Sequence, residues 1–193
     1  MLARLICIVS LGVALLTGCA ASSRLEDMAL APEVLTIAPA VLGERTVEQR
    51  LSMRWPGGER SMETVVEIAE GKLNLVALAF GMRLASLEYD GKTVNETRPL
   101  PMAPPGKRMV NDLLLVAAPL EYLRRALPEG WEVQELGVRY QVSEGDNFRR
   151  REISENGVTQ LVIDYFSGSP WRGRVTVEHR ASGYQLILDS HEF

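Results

Sequence analysis

From residue 46 onward the chain alternates apolar and polar positions with a period of two. Val47, Leu51, Met53 and Trp55 fall on one face and Glu48, Arg50, Ser52 and Arg54 on the other, the pattern of a half-buried strand. Pro56-Gly57-Gly58-Glu59 is a tight-turn signal, and residues 60–69 alternate again with Met62, Val66 and Ile68 sharing a face. Gly71 separates this run from residues 73–80, which are apolar on both faces. A further strand covers residues 81–89, and Asp90-Gly91-Lys92 turns the chain into residues 93–97. Strands joined by such short turns predict an antiparallel meander.

The pattern then breaks. The proline-rich residues 99–105 admit neither a helix nor a central strand. Residues 109–127 have helical periodicity, divided by Pro119, which lacks the amide proton that an inner turn requires. Two short helices are expected, the second with Pro119 at its first position and with Leu120, Leu123 and Leu127 as its apolar stripe. Period two resumes at Trp131, with Leu136, Val138, Tyr140 and Val142 set against Glu135, Arg139 and Gln141. Gly145-Asp146-Asn147 turns into a charged strand over residues 148–154. Asn156-Gly157, the strongest hairpin signal present, then leads into residues 158–166, where Leu161, Ile163 and Tyr165 share a face. Ser167-Gly168-Ser169-Pro170 interrupts the sheet, and strands over 174–180 and 184–189 complete it.

This order predicts a mainly β fold: a single curled antiparallel sheet of about ten strands, because a twisted sheet that wide does not remain flat. It is expected to form an open, incomplete β-barrel, with the short helical insertion as the element available to cover its concave face.

The first residues follow a different logic. Arg4 precedes an apolar run over residues 5–16, which is followed by the small residues Thr17 and Gly18. That run is shorter than the roughly 20 residues of a spanning helix. Leu16-Thr17-Gly18-Cys19 resembles the lipobox of bacterial lipoproteins, in which the cysteine is acylated and the preceding segment removed. The resemblance implies a signal peptide over residues 1–18, lipidation of Cys19, a tether and N-terminal packing segment over 19–44, and a folded domain over 45–193. Several acyl chains on Cys19 would make attachment effectively permanent. Ala20 and Ala21 after the cysteine, with no Asp at the second mature position, resemble cargo sent to the outer membrane; a lipid-anchored protein on its periplasmic face is expected.

A net charge of -4 argues against nucleic-acid binding through a basic surface. Cys7 would leave with the signal and Cys19 would carry lipid, so the folded part offers no thiol for a disulfide or a metal. His179 and His191 have no third ligand at metal spacing and read as solvated strand residues; no metal or cofactor is expected. The run Arg149-Arg150-Arg151 reads as a solvated edge strand, with contact to anionic lipid headgroups as the alternative. No nucleophile elbow or phosphate loop occurs, so an enzyme is not expected.

With these strands, helices and lipobox, the chain resembles the periplasmic lipoprotein carriers and receptors of the LolA/LolB type. A narrower resemblance is to an outer-membrane lipoprotein family found with aryl polyene and related lipid-biosynthesis genes. The broader resemblance implies an apolar cavity holding acyl chains, an acylated or lipoprotein ligand, a periplasmic carrier as partner, and a monomeric receptor. The receptor type also carries a protruding loop with an exposed apolar residue, for which Phe80-Gly81-Met82 is the nearest candidate.

The candidate cavity residues are Met53, Trp55, Val66, Leu78, Phe80, Leu87, Leu136, Tyr140, Ile163 and Tyr165, with Leu120, Leu123 and Leu127 as a lid. The same face could be solid core. A wide curled sheet has more concave surface than two short helices fill, and aromatic residues are only 6% of the chain, so a cavity is the expectation. The expected function is binding a hydrophobic ligand and assisting its transfer at the outer membrane. The alternatives are a scaffold lipoprotein of an envelope complex and, third, an enzyme acting on a lipid intermediate.

Overall fold

The computed structural model describes residues 32–34, 36–99, 104–137 and 148–193. Cys19 and its surroundings, Tyr140, and the Gly145-Asp146-Asn147 turn lie outside the described residues.

Ten strands form among the described residues, and the alternation over Val138, Tyr140 and Val142 lies outside them. The strands are β1 (Arg45–Trp55), β2 (Gly58–Ala69), β3 (Lys72–Ala79), β4 (Met82–Tyr89), β5 (Val94–Thr97), β6 (Trp131–Leu136), β7 (Arg149–Glu155), β8 (Val158–Tyr165), β9 (Gly173–His179) and β10 (Tyr184–Glu192). Between β5 and β6 lie α1 (Gly106–Ala117) and α2 (Leu120–Ala126), and a short 3-10 turn, Pro39–Leu42, precedes β1. α1 begins three residues earlier than the periodicity predicts, with Pro105 as its N-cap, a place where a missing amide proton costs nothing. Pro119 caps α2 in the same way.

All ten strands form one antiparallel sheet in the order β5-β4-β3-β2-β1-β10-β9-β8-β7-β6. The first and last strands pair at its centre, with Leu51 opposite Leu188 and Met53 opposite Leu186. The sheet is not closed: β5 and β6 are its two edges. This topology places the helices. The chain leaves one edge at β5 and must reach the opposite edge at β6, and the intervening α1 and α2 cover the buried face on the way.

The hairpins obey local turn chemistry. Asn156 and Gly157 both adopt positive φ, 49° and 80°, the two-residue turn whose twist matches antiparallel strands. Phe80 and Gly81, at 52° and 73°, make the same kind of turn between β3 and β4 without the Asn or Asp that usually begins it.

The core lies between the inner face of the sheet and α1. Val47, Val66, Leu73, Ile153, Ile163 and Val175 are fully buried, in one apolar cluster with Val110 and Leu114 of the helix. Eleven of the twelve α1 residues are buried, Lys107 being the exception. A helix buried almost all round needs cover on its far side too. Part of that cover is the segment before β1: Val34, Ile37 and Leu42 are buried. The Asn111 side chain accepts a hydrogen bond from the Val34 amide at 2.8 Å and donates one to the Pro32 carbonyl at 2.9 Å. α2 is peripheral, with only Leu123 buried. Among the described residues no helix is long and apolar enough to cross a membrane.

Candidate functional site

The space between α1 and the middle of the sheet narrows to a cleft of about 30 Å³. Its apolar walls include Leu51 and Met53 of β1, Leu75 of β3, Met109 and Leu113 of α1, and Leu186 of β10. Small-molecule pockets run from about 300 to 1,000 Å³. The inner face is therefore packed in this conformation, and most of it is core rather than open cavity. Two helices fill more of the curved sheet than their length suggests, because α1 is buried around almost its whole circumference.

The candidate residues separate accordingly. Met53 lines the cleft. Val66, Leu87, Ile163 and Tyr165 are buried core on the inner side, and Trp55 packs half-buried against that core. Leu78 lies on the outer face, opposite Glu63 and beside Arg50 in a shallow groove. A register shift at Ala77/Leu78 adds to the ambiguity of a strand that is apolar on both sides. Phe80 stands at the tip of the β3–β4 hairpin with 89% of its surface exposed, so it lines no interior cavity. Leu136 is also outward-facing: on β6 it is Val133 that is buried, which sets the opposite parity. Of the lid residues, Leu123 is fully buried, while Leu120 and Leu127 pack half-buried against the core.

Two polar groups under α1 were not anticipated. The first is built on Arg151. Its strand is internal and its side chain is fully enclosed, which corrects the reading of the arginine run as a solvated edge. Its Nε and Nη2 donate to Glu135 Oε1 at 3.0 and 2.6 Å, and Nη1 donates to the carbonyls of Leu115 and Val116 at 2.6 and 3.2 Å. Tyr165 donates its hydroxyl to the Val116 carbonyl at 2.6 Å. The last carbonyls of a helix have no partner within it, and here the sheet supplies one. Burial pushes the Tyr165 hydroxyl up to about 12, partly offset by Arg151 and Arg149, so it remains a donor at neutral pH. Arg149 lies 4.2 Å above the Tyr165 ring and Arg150 pairs with Asp164 at 2.6 Å.

The second group lies against the cleft. Arg108 and Asp112, one helical turn apart on α1, line it together with Gln49, Thr64 and Tyr184. Arg108 Nε is 3.7 Å from Asp112 Oδ2, and its guanidinium lies 4.1 Å over the Tyr184 ring. His179 Nε2 approaches Asp112 Oδ1 at 3.5 Å. His179 is buried, not the solvated strand residue its position suggested. Burial and the Asp112 charge raise the Tyr184 hydroxyl above its ordinary range. Among the described residues no group of three or more His, Cys, Asp or Glu is placed to hold a metal.

The model of the protein family of unknown function DUF3261 matches residues 46–192. The chain belongs to the DUF3261 family. In this DUF3261 chain the match runs from β1 through β10 and takes in both polar groups and the Phe80 hairpin, leaving out the segment that Asn111 holds. No curated protein matches the sequence. Similar solved structures include the Mycobacterium tuberculosis lipoprotein LppX, 10% identical over 77% of this chain and 86% of that one, TM-score 0.36. A LolA superfamily protein from Nitrosomonas europaea is 14% identical over 89% of this chain and 91% of that one, TM-score 0.39. Neither likeness assigns a role to a side chain of this DUF3261 protein.

Proposed function

We propose that this protein is a lipid-anchored envelope component, held through Cys19 on the periplasmic face of the outer membrane. It binds a hydrophobic or acylated ligand between its sheet and α1 and assists the transfer of that ligand into the membrane. The observation that carries this reading is what occupies the concave face. α1 is a helix of twelve residues, about 18 Å long and buried at eleven of them, filling a trough of apolar strands. That length is comparable to an extended fatty-acyl chain, and the surface that α1 covers would serve an acyl chain equally well. Ligand entry requires the helix to move, because the closed cleft of about 30 Å³ admits no chain.

Delivery to a bilayer would use the β3–β4 hairpin, where Phe80 and Met82 are 89% and 49% exposed. A periplasmic carrier supplying the ligand to a monomeric receptor fits this scheme. No step calls for covalent catalysis.

The test is mass spectrometry of lipid co-purified with the full chain carrying Cys19→Ser, which keeps the acyl anchor out of the measurement. An acylated species bound in near-equal amount supports the reading. A lipid-free protein that also fails to bind a fluorescent fatty-acid probe overturns it. The tight packing of the inner face favours one second reading, a scaffold lipoprotein that recruits a partner strand at the β5 or β6 edge. It predicts the lipid-free result.

A further inference from the structure

We propose that Asp112 and His179, with Arg108 beside them, form the headgroup site for a neutral amphiphile whose head both donates and accepts a hydrogen bond, such as a glycerol hydroxyl. This rests on the acyl-binding reading above and adds to it the chemistry of the head.

Asp112 Oδ1 and His179 Nε2 are both buried, and neither has a hydrogen-bond partner among the described residues. Their side chains are only 5% and 10% exposed. A buried carboxylate oxygen with no donor costs the fold free energy, and a ligand that supplies the donor recovers it. The two atoms are 3.5 Å apart. Both atoms are shielded in the closed state; once α1 shifts, one hydroxyl oxygen beside the pair would stand about 2.8 Å from each, donating to the carboxylate and accepting from the imidazole N–H. Asp112 lines the cleft and His179 lies behind it, so the movement of α1 that admits an acyl chain also opens the pair to the head.

The surroundings are amphiphilic. Asp112 and Arg108 line one side of the cleft with Gln49 and Thr64, whereas Met53 and Leu113 make apolar wall. Charge then narrows the class. A carboxylate head would stand beside Asp112 and an ammonium beside Arg108, and like charges in a water-poor site repel strongly. A neutral donor and acceptor meets neither. Tyr184, under the Arg108 guanidinium and edge-on to His179 at 5.2 Å, fixes both groups from below.

The experiment measures displacement of N-phenylnaphthylamine from the full chain carrying Cys19→Ser. It compares monoolein, methyl oleate, oleate and oleylamine at one mildly alkaline pH, which keeps oleate ionised. The expected order places monoolein about tenfold ahead of the other three, with methyl oleate showing that neutrality without a donor is not enough. Asp112→Asn removes the anion while Arg108 stays, so oleate should overtake monoolein. His179→Leu, which serves if Asp112→Asn does not fold, should reduce the monoolein lead to about twofold without weakening the probe. Equal competition by monoolein and methyl oleate in the unsubstituted site overturns the proposal, as does an unchanged order in Asp112→Asn. If the probe itself does not bind, the acyl-binding reading falls and this site with it. A bound probe with a flat ranking removes only the headgroup site.

Discussion

Arg151 Nη1 donates to the carbonyl of Leu115 at 2.6 Å, from the seventh strand of the sheet to the last turn of α1. The same guanidinium grips Glu135 through two further nitrogens, so one buried side chain joins an edge strand, an internal strand and the helix. Truncating it would take two donors from the Glu135 carboxylate and the donor from the Leu115 carbonyl, while the Val116 carbonyl would keep Tyr165. Arg151→Ala should therefore lower unfolding free energy by about 3–5 kcal/mol, read as a drop in the urea midpoint. Arg151→Lys retains the charge but loses the planar fork, and should recover only part of that loss. An Arg151→Ala midpoint within error of the parent would show that the helix end does not depend on this contact.

Alkaline pH probes the buried core through its phenols. Burial raises Tyr165 and Tyr89 from 10.0 to about 12, and Tyr184 is raised as well. Each favours its neutral form in the folded state more than in the unfolded chain. Their stabilising contribution is therefore complete below about pH 10 and is lost as pH climbs through about 12. Tyrosinate absorbance from these three buried phenols should appear only above the ordinary phenol range, together with loss of near-ultraviolet circular dichroism. A single smooth titration centred near the ordinary phenol range would contradict this packing.

The fold was legible in the sequence wherever one face of a strand was buried and the other wet. β1, β2, β8 and β10 announce themselves through alternation, and Asn156-Gly157 states its own turn. Legibility failed where that contrast was missing. Residues 73–80 are apolar on both faces, so Leu78 could not be oriented. On β6 the inner position beyond Val133 is Glu135, a charge that the Arg151 partner makes tolerable there, and this inverted the apparent parity of Leu136. The second polar group was hidden for a similar reason. Arg108 lies just outside the predicted helix, and His179 sits some 67 residues after Asp112, so no local spacing joins them. Only the crossing from β5 to β6 brings α1 over β9 and β10.

Facing can be tested directly with charge. Leu78→Glu and Leu136→Glu place a carboxylate on the outer surface, the second directly opposite Arg150. Both variants should fold, with stability within about 1 kcal/mol of the parent. Met53→Glu puts the same charge in the cleft wall, where the residue is 1% exposed, and should unfold the domain. Circular dichroism separates the three. Loss of the fold in Leu78→Glu would place that residue inside after all.

The anchor is tested by metabolic labelling with a fatty-acid analogue. Label is expected on the parent chain and none on Cys19→Ser, which should accumulate as an unprocessed precursor or a soluble periplasmic species. Labelled Cys19→Ser protein would refute lipidation at this position.

The hairpin tip offers the sharpest test, because stability and membrane contact should move in opposite directions. Phe80 holds a left-handed backbone, φ 52°, while 89% exposed. A bulky residue pays roughly 1 kcal/mol for that conformation, and exposed as it is, Phe80 recovers little by burial. Asn adopts the same backbone readily, so Phe80→Asn should raise unfolding free energy by about 1 kcal/mol. If the ring enters a bilayer, the same change should weaken co-sedimentation of the Cys19→Ser chain with phospholipid vesicles several-fold. Phe80→Trp should restore vesicle binding, and its emission should shift to the blue on insertion. A variant that is more stable and binds vesicles as well as the parent would show that the exposed ring has no part in membrane contact.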